Sequence, residues 1–99
     1  MADITYDVDG NIYLLEEGVY PVLLSYNPLT GDTTHLYDFP LGNRLNSMTT
    51  NADNVALITG FSGDFWEFDF NTLTPSYIGN TGIRSFGDMT FYEGTLYLT

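Results

Sequence analysis

The sequence predicts an all-β fold of β-propeller blades: about two and a half four-stranded antiparallel repeats, an incomplete ring unless the chain is oligomeric. Three observations predict it. The opening Asp3-Ile4-Thr5-Tyr6-Asp7-Val8-Asp9-Gly10-Asn11-Ile12-Tyr13-Leu14 recurs as Asp88-Met89-Thr90-Phe91-Tyr92-Glu93-Gly94-Thr95-Leu96-Tyr97-Leu98-Thr99, with a degenerate copy from Ser47 to Ile58 between them. The copies start 44 and 41 residues apart, the spacing of propeller blades. Secondly, a chain with 43% hydrophobic and 16% aromatic residues, including eight Tyr and seven Phe, suits pleated sheets and argues against disorder. Thirdly, Gly, Pro and Asn punctuate every stretch, and no apolar stripe of helical period persists.

Each element follows from local chemistry. In the Asp3–Asp7 region, alternation sets Ile4 and Tyr6 opposite Asp3, Thr5 and Asp7. Asp9-Gly10 offers a tight turn, because Gly accepts positive φ. Ile12–Leu15 is apolar on both faces, as a strand between two neighbouring sheets requires. A second turn falls around Glu16–Gly18, and Val22–Tyr26 is the third strand. Asn27-Pro28-Leu29-Thr30-Gly31-Asp32 is the clearest turn in the chain, and Thr33–Phe39 reads as the outer strand. The second repeat places strands at Met48–Thr50, Val55–Thr59, Phe65–Phe70 and Pro75–Ile78. Leu23–Leu36 aligns without gaps onto Phe65–Ile78 at an offset of 42. The expected units are residues 3–43 and 44–86, two blades, and 87–99, the first hairpin of a third. A blade has two apolar faces and needs a neighbour on each. Either a homo-oligomer or the remaining blades of a longer propeller is therefore the expected partner.

Thirteen acidic residues against two basic ones give a net charge of −11. That balance disfavours nucleic acid and anionic membranes, whose phosphates need Lys or Arg. No apolar run approaches the roughly 20 residues that span a bilayer, so membrane insertion is not expected. The absence of Cys rules out disulfides, a thiol nucleophile and zinc–thiolate sites. Zinc-helix, nucleophile-elbow, phosphate-loop and dinucleotide patterns are also absent, and Gly60-Phe61-Ser62-Gly63 and Gly79-Asn80-Thr81-Gly82 read as turns.

Gly87-Asp88-Met89-Thr90-Phe91-Tyr92-Glu93-Gly94-Thr95-Leu96-Tyr97-Leu98 and Tyr26-Asn27-Pro28-Leu29-Thr30-Gly31 resemble repeats of large secreted or surface-attached bacterial β-propellers, particularly those of gliding bacteria. The resemblance covers nearly the whole chain. It implies a propeller and a secreted or cell-surface location, with leader and anchoring segments outside this sequence. The middle copy departs most: Ser47 replaces the leading Asp, Asp53 the turn Gly and Ala56 the Tyr.

Four residues are channel-mouth candidates. Arg44 and Arg84, the only two cations, precede inner strands at nearly corresponding positions. They would either recognise a carboxylate or phosphate bidentately or pair with the blade-starting Asp3 and Asp88. Asp3 and Asp88 could also form an acid/base pair if their environments separated their pKa values, though hydrogen bonding to a neighbouring blade is the simpler role. Asp7, Asp9 and Asn11 resemble the start of an oxygen-rich calcium loop. The twelve-residue pattern with its terminal Glu is absent, so a hairpin turn explains them better. Calcium is the only cofactor the sequence raises. Trp66, Phe68 and Phe70 share one face of a strand, as a sugar-stacking row or as core, and their alignment with Leu24 and Tyr26 favours core. His35 is expected at a surface edge.

The functional expectation is a noncatalytic recognition or scaffold module with a protein or glycan ligand. The alternatives are a carbohydrate-acting hydrolase or lyase using Asp residues, and a fragment whose main property is self-assembly. The fold cannot choose among them.

Overall fold

The computed structural model describes residues 3–16, 18, 20–40, 44–80, 82, 89–92 and 95–98, the last two segments by strand path and pairing. The described chain is all-β and has no helix. One antiparallel sheet runs β1 (Asp3–Tyr6), β2 (Ile12–Glu16), β3 (Val22–Tyr26) and β4 (Thr33–Asp38), each strand beside its predecessor. A second sheet repeats that order with β5 (Leu45–Thr50), β6 (Val55–Gly60), β7 (Asp64–Asp69) and β8 (Thr74–Asn80). A hairpin follows, β9 (Met89–Tyr92) and β10 (Thr95–Leu98). The first strands neighbour one another in a row: β1 lies against β5, and β5 against β9.

The register makes the repeat quantitative. Asp3 pairs with Leu15 and Tyr6 with Ile12; Ser47 pairs with Thr59 and Thr50 with Ala56, each residue 44 positions later. Past the second turn the offset becomes 42. The register breaks between Leu23 and Leu24, leaving Leu36 as the extra residue of a bulge. It breaks again between Phe65 and Trp66, leaving Ile78. The gap-free alignment therefore holds even for an irregularity that increases local twist. Strand limits differ modestly from expectation. β5 starts at Leu45 because Leu45 pairs with Gly60 across a bulge at Asn46, and β8 continues through Gly79 and Asn80, which pair with Phe65 and Asp64 rather than turning.

The turns repeat too. Gly10 has φ 85° and Asn54 has φ 65°. Gly10 N–H donates to the Asp7 carbonyl at 3.1 Å, and Asn54 N–H to the Asn51 carbonyl at 3.2 Å. The left-handed position of the middle copy is thus Asn54, not Asp53. Asn tolerates this conformation because its short side chain bonds locally.

The outer turn shows the same substitution less comfortably. Gly31 has φ 78°, and Leu73, 42 residues later, has φ 56°. A left-handed non-Gly residue costs roughly 1–2 kcal/mol. Gly loses about 0.5–1 kcal/mol more backbone entropy on folding. Leu73 is more than half exposed, so its side chain contributes little burial. Leu73→Gly should therefore raise stability by about 0.5–1 kcal/mol, measured as a higher urea midpoint with unchanged slope; a lower midpoint would refute the strain argument.

The two sheets face each other through one apolar core. Tyr13, Leu15, Leu23 and Phe39 from the first repeat meet Met48, Ala56, Ile58, Trp66, Phe68 and Phe70 of the second. Tyr13 stacks on Phe70 with ring centroids 3.9 Å apart. Phe39 sits just beyond β4, fully buried, with its N–H on the Pro21 carbonyl at 2.8 Å and its ring edge-on to Trp66 at 5.3 Å. Trp66, Phe68 and Phe70 are thus occupied in the core. His35 is exposed and pairs with Asp38 at 2.8 Å on the outer strand.

Candidate functional site

The sheets carry candidate residues at opposite ends. At one end, β1 starts, β2 finishes, and the chain enters β5 through Arg44. A cleft of about 560 Å³ opens there, lined by Gly18, Pro21, Arg44, Leu45, Asn46 and Phe61. Its walls come from the β2–β3 connection, the entry to β5 and the β6–β7 turn.

Local backbone chemistry builds this cleft. Gly60 closes β6 against Leu45, and the Phe61 N–H donates to the Arg44 carbonyl at 3.0 Å. The Arg44 N–H donates to Ser62 Oγ at 3.4 Å. These bonds hold the Arg44 guanidinium carbon 6.0 Å from the centroid of the Phe61 ring, at the outer limit of a cation–π contact. The bulge at Asn46 leaves two buried oxygens, Asn46 Oδ1 and Ser47 Oγ, with no hydrogen-bond partner among the described residues. Such acceptors cost about 1–3 kcal/mol each when buried. The cleft rim therefore combines a cation and an aromatic ring, backed by unsatisfied oxygens. The exposed cation at the rim suits an anionic ligand.

Asp3 stands at the same end but points its chemistry inward. Asp3 Oδ2 accepts the Met48 N–H at 2.7 Å, tying the first strand of one sheet to the first strand of the next. Thr5 and Thr50 share a side-chain hydrogen bond of 2.8 Å further along the same strands. Ser47 occupies the position equivalent to Asp3 and is fully buried. Arg84 and Asp88 lie outside the described residues.

The opposite end holds Asp7, Asp9 and Asn11. Asp7 Oδ1 accepts the N–H groups of Asp9 and Asn11, both at 2.9 Å. Asp7 Oδ2 accepts Asn11 Nδ2 at 2.8 Å and the Tyr13 hydroxyl at 3.0 Å. The neutral Asn51 builds the equivalent turn, accepting from Asp53 and Val55. The turn geometry thus needs no bound cation. Among the described residues, no group of three or more His, Cys, Asp or Glu side chains is placed to hold a metal ion. Asn54 joins this end to the neighbouring sheet: its Oδ1 accepts the Val8 N–H at 2.9 Å, and its Nδ2 donates to Asn71 at 3.1 Å.

The Asp7–Tyr13 bond gives this end a pH signature. Burial pushes the Asp7 carboxyl up, but the hydrogen bonds from Asn11, Tyr13 and Asp9 together outweigh it, and the net shift is downward. Burial first, then the bond to Asp7 and the charges of Asp7 and Asp9, push the Tyr13 phenol up to about 12. The signs are opposite in pH. The Asp7 contribution is present above its ordinary value of 3.8 and disappears as pH falls through the lowered folded value. The Tyr13 contribution is complete below 10.0 and disappears as pH rises through about 12. Chemical denaturation across pH 9–12 should show falling stability, with a flatter slope in Tyr13→Phe; an unchanged slope would separate Tyr13 from the alkaline transition.

Three site features were missed by sequence reasoning. Phe61 had a visible signal, an aromatic ring inside a Gly-bounded turn. Asn54 had another, a turn residue able to adopt positive φ. Asn46 had none, because its place at the cleft depends on a bulge. No family model, curated protein or solved structure matches the chain.

Proposed function

We propose that this chain is a noncatalytic β-propeller recognition or scaffold module of a secreted or cell-surface protein. The observation that carries the reading is the row β1–β5–β9: equivalent first strands stand side by side, and the two four-stranded meanders pack face-on through one core. Such a row supports a reading as successive blades around a central axis. In such an assembly the Arg44 cleft lies near the inner strands, where loops meet a channel mouth.

The carboxylates support a scaffold more than a reaction centre. Asp3 binds the next sheet's backbone, Asp7 closes a turn, and Asp64 accepts the Tyr77 hydroxyl at 2.8 Å. Arg44 is the group left facing the cleft, and its partner class is a carboxylate- or phosphate-bearing protein or glycan.

Glycan-array binding with uronic-acid, sialylated, phosphorylated and neutral sugars tests this, with thermal stability measured in parallel. Arg44→Met should lower binding of an anionic glycan about tenfold or more, the equivalent of a charge-assisted hydrogen bond, with stability little changed. Lost stability with unchanged binding would sink the ligand reading. Release of reducing ends or of unsaturated sugar would replace it with the hydrolase or lyase.

A further inference from the structure

The two sheets share register and bulge position but not burial. Met48, Ile58 and Trp66 of the second sheet are buried against the first. Their equivalents in the first sheet are Ile4, Leu14 and Leu24, by the registers already described. Ile4 is 43% exposed, and Leu14 and Leu24 are half-buried. Beside them Tyr6 is 57% exposed. The first sheet therefore presents, uncovered, the same face that the second sheet buries.

The fold also shows what covers such a face. In the internal interface the covering unit is the β1–β2 hairpin side of the first sheet, with Thr5 paired to Tyr13. Thr5 bonds Thr50, and Tyr13 stacks on Phe70. The β9–β10 hairpin repeats that register: Met89 pairs with Leu98, Thr90 with Tyr97 and Phe91 with Leu96, matching Ile4–Leu14, Thr5–Tyr13 and Tyr6–Ile12. It also lies next to β5, as β5 lies next to β1. The chain thus carries an open face at one end of the strand row and, at the other end, a hairpin of the type that covers that face.

We propose that the open face of the first sheet docks the β9–β10 end of a second copy of this chain, head to tail, continuing the internal sheet-to-sheet interface between molecules. It rests on the repeat geometry used for the propeller reading. The interface is heterologous, so it propagates or closes into a ring rather than pairing two identical faces. The charge of −11 opposes approach of two copies, whereas Ile4, Leu14 and Leu24 are uncharged. Salt should therefore strengthen association, by screening repulsion across an apolar contact.

Sedimentation of the 99-residue chain over a wide concentration range tests the proposal. The expected result is a concentration-dependent mass of at least twice the monomer, increasing with salt. Leu24→Glu should disable the open face and Tyr97→Glu the hairpin end, each giving a monomer with unchanged far-UV circular dichroism. Mixed in equal amounts, the two variants should form a heterodimer, because one intact face and one intact hairpin remain between them. A monomeric wild-type chain, an unchanged oligomer in folded Leu24→Glu, or a mixture that stays monomeric would overturn the proposal. If Tyr97→Glu disturbs the fold, Thr90→Glu on the paired strand takes its place in the same mixture. Anionic-glycan binding measured on monomeric Leu24→Glu separates the two readings: binding that persists without assembly leaves the Arg44 cleft standing, whatever becomes of the interface.

Discussion

Replacing Trp66 with Ala should lower the unfolding free energy by about 4 kcal/mol, within the usual cost of deleting a buried aromatic side chain. The ring is nearly buried and meets Phe39 edge-on at 5.3 Å, Tyr77 at 5.2 Å and Tyr37 at 6.2 Å. Such pairs add about 0.5–1.5 kcal/mol each beyond area burial. The cavity would lie between the sheets, where Phe39 comes from a connecting segment and Trp66 from β7, so neither can collapse without shifting backbone. Small domains hold only about 5–15 kcal/mol in total. The expected readout is a large fall in the urea midpoint, with Trp66→Phe recovering most of it. A loss below about 1 kcal/mol would mean that the sheets do not depend on this contact.

Gly60→Ala should cost about 3 kcal/mol or more, for a different reason. A Cβ at Gly60 would overlap the Arg44 carbonyl oxygen and lie 2.7 Å from the Arg44 carbonyl carbon and 2.8 Å from Leu45 Cα. All three neighbours are backbone, so no side chain can rotate away. Relief requires moving β5 from β6 at the Asn46 bulge, which breaks the Phe61 N–H bond to Arg44. The substitution should therefore disturb the Arg44 cleft as well as stability. Gly60→Ala with an unchanged unfolding midpoint would show that the strands can separate there freely. The effect does not arise from φ: it is the closeness of two strands that excludes a methyl group.

The sequence carried much of this architecture. Alternation in Asp3–Tyr6 set Thr5 on the face opposite Ile4 and Tyr6, and the strand buries Thr5 while leaving Ile4 and Tyr6 exposed. The Asn27–Asp32 turn was legible because Pro, Gly and Asn each have a distinct backbone preference. The offset of 42 predicted even the matching positions of Leu36 and Ile78, although the bulges themselves were not foreseen. The reason is physical: side-chain alternation and turn chemistry are local and leave a local trace. Asp53 aligns with Gly94 when the middle copy is laid on the last one, but the middle turn follows the first copy, and Asn54, equivalent to Gly10, enters the left-handed region.

The candidate site was less legible. Arg44 could be singled out because cations are scarce, but its neighbours Pro21, Asn46 and Phe61 come from the β2–β3 connection, β5 and the β6–β7 turn. Asp3 and Arg44 lie at the same end, yet Asp3 takes a backbone N–H from Met48. Asp7, Asp9 and Asn11 have the spacing of an oxygen-rich loop, for which a hairpin turn was the better explanation, and the Asp7 oxygens collect donors from that turn and from Tyr13.

By itself, the sequence determined that the chain is all-β, where most of its strands and turns fall, and that its units recur at blade-like spacing, because period-2 alternation and turn residues act over a few positions. Only the tertiary structure decided which apolar faces are buried, which polar groups are already bonded, and which face of the first sheet is left open. Those outcomes depend on contacts between residues about 40–50 positions apart, such as Thr5 with Thr50 and Asp3 with Met48, whose geometry is set when one sheet docks on another.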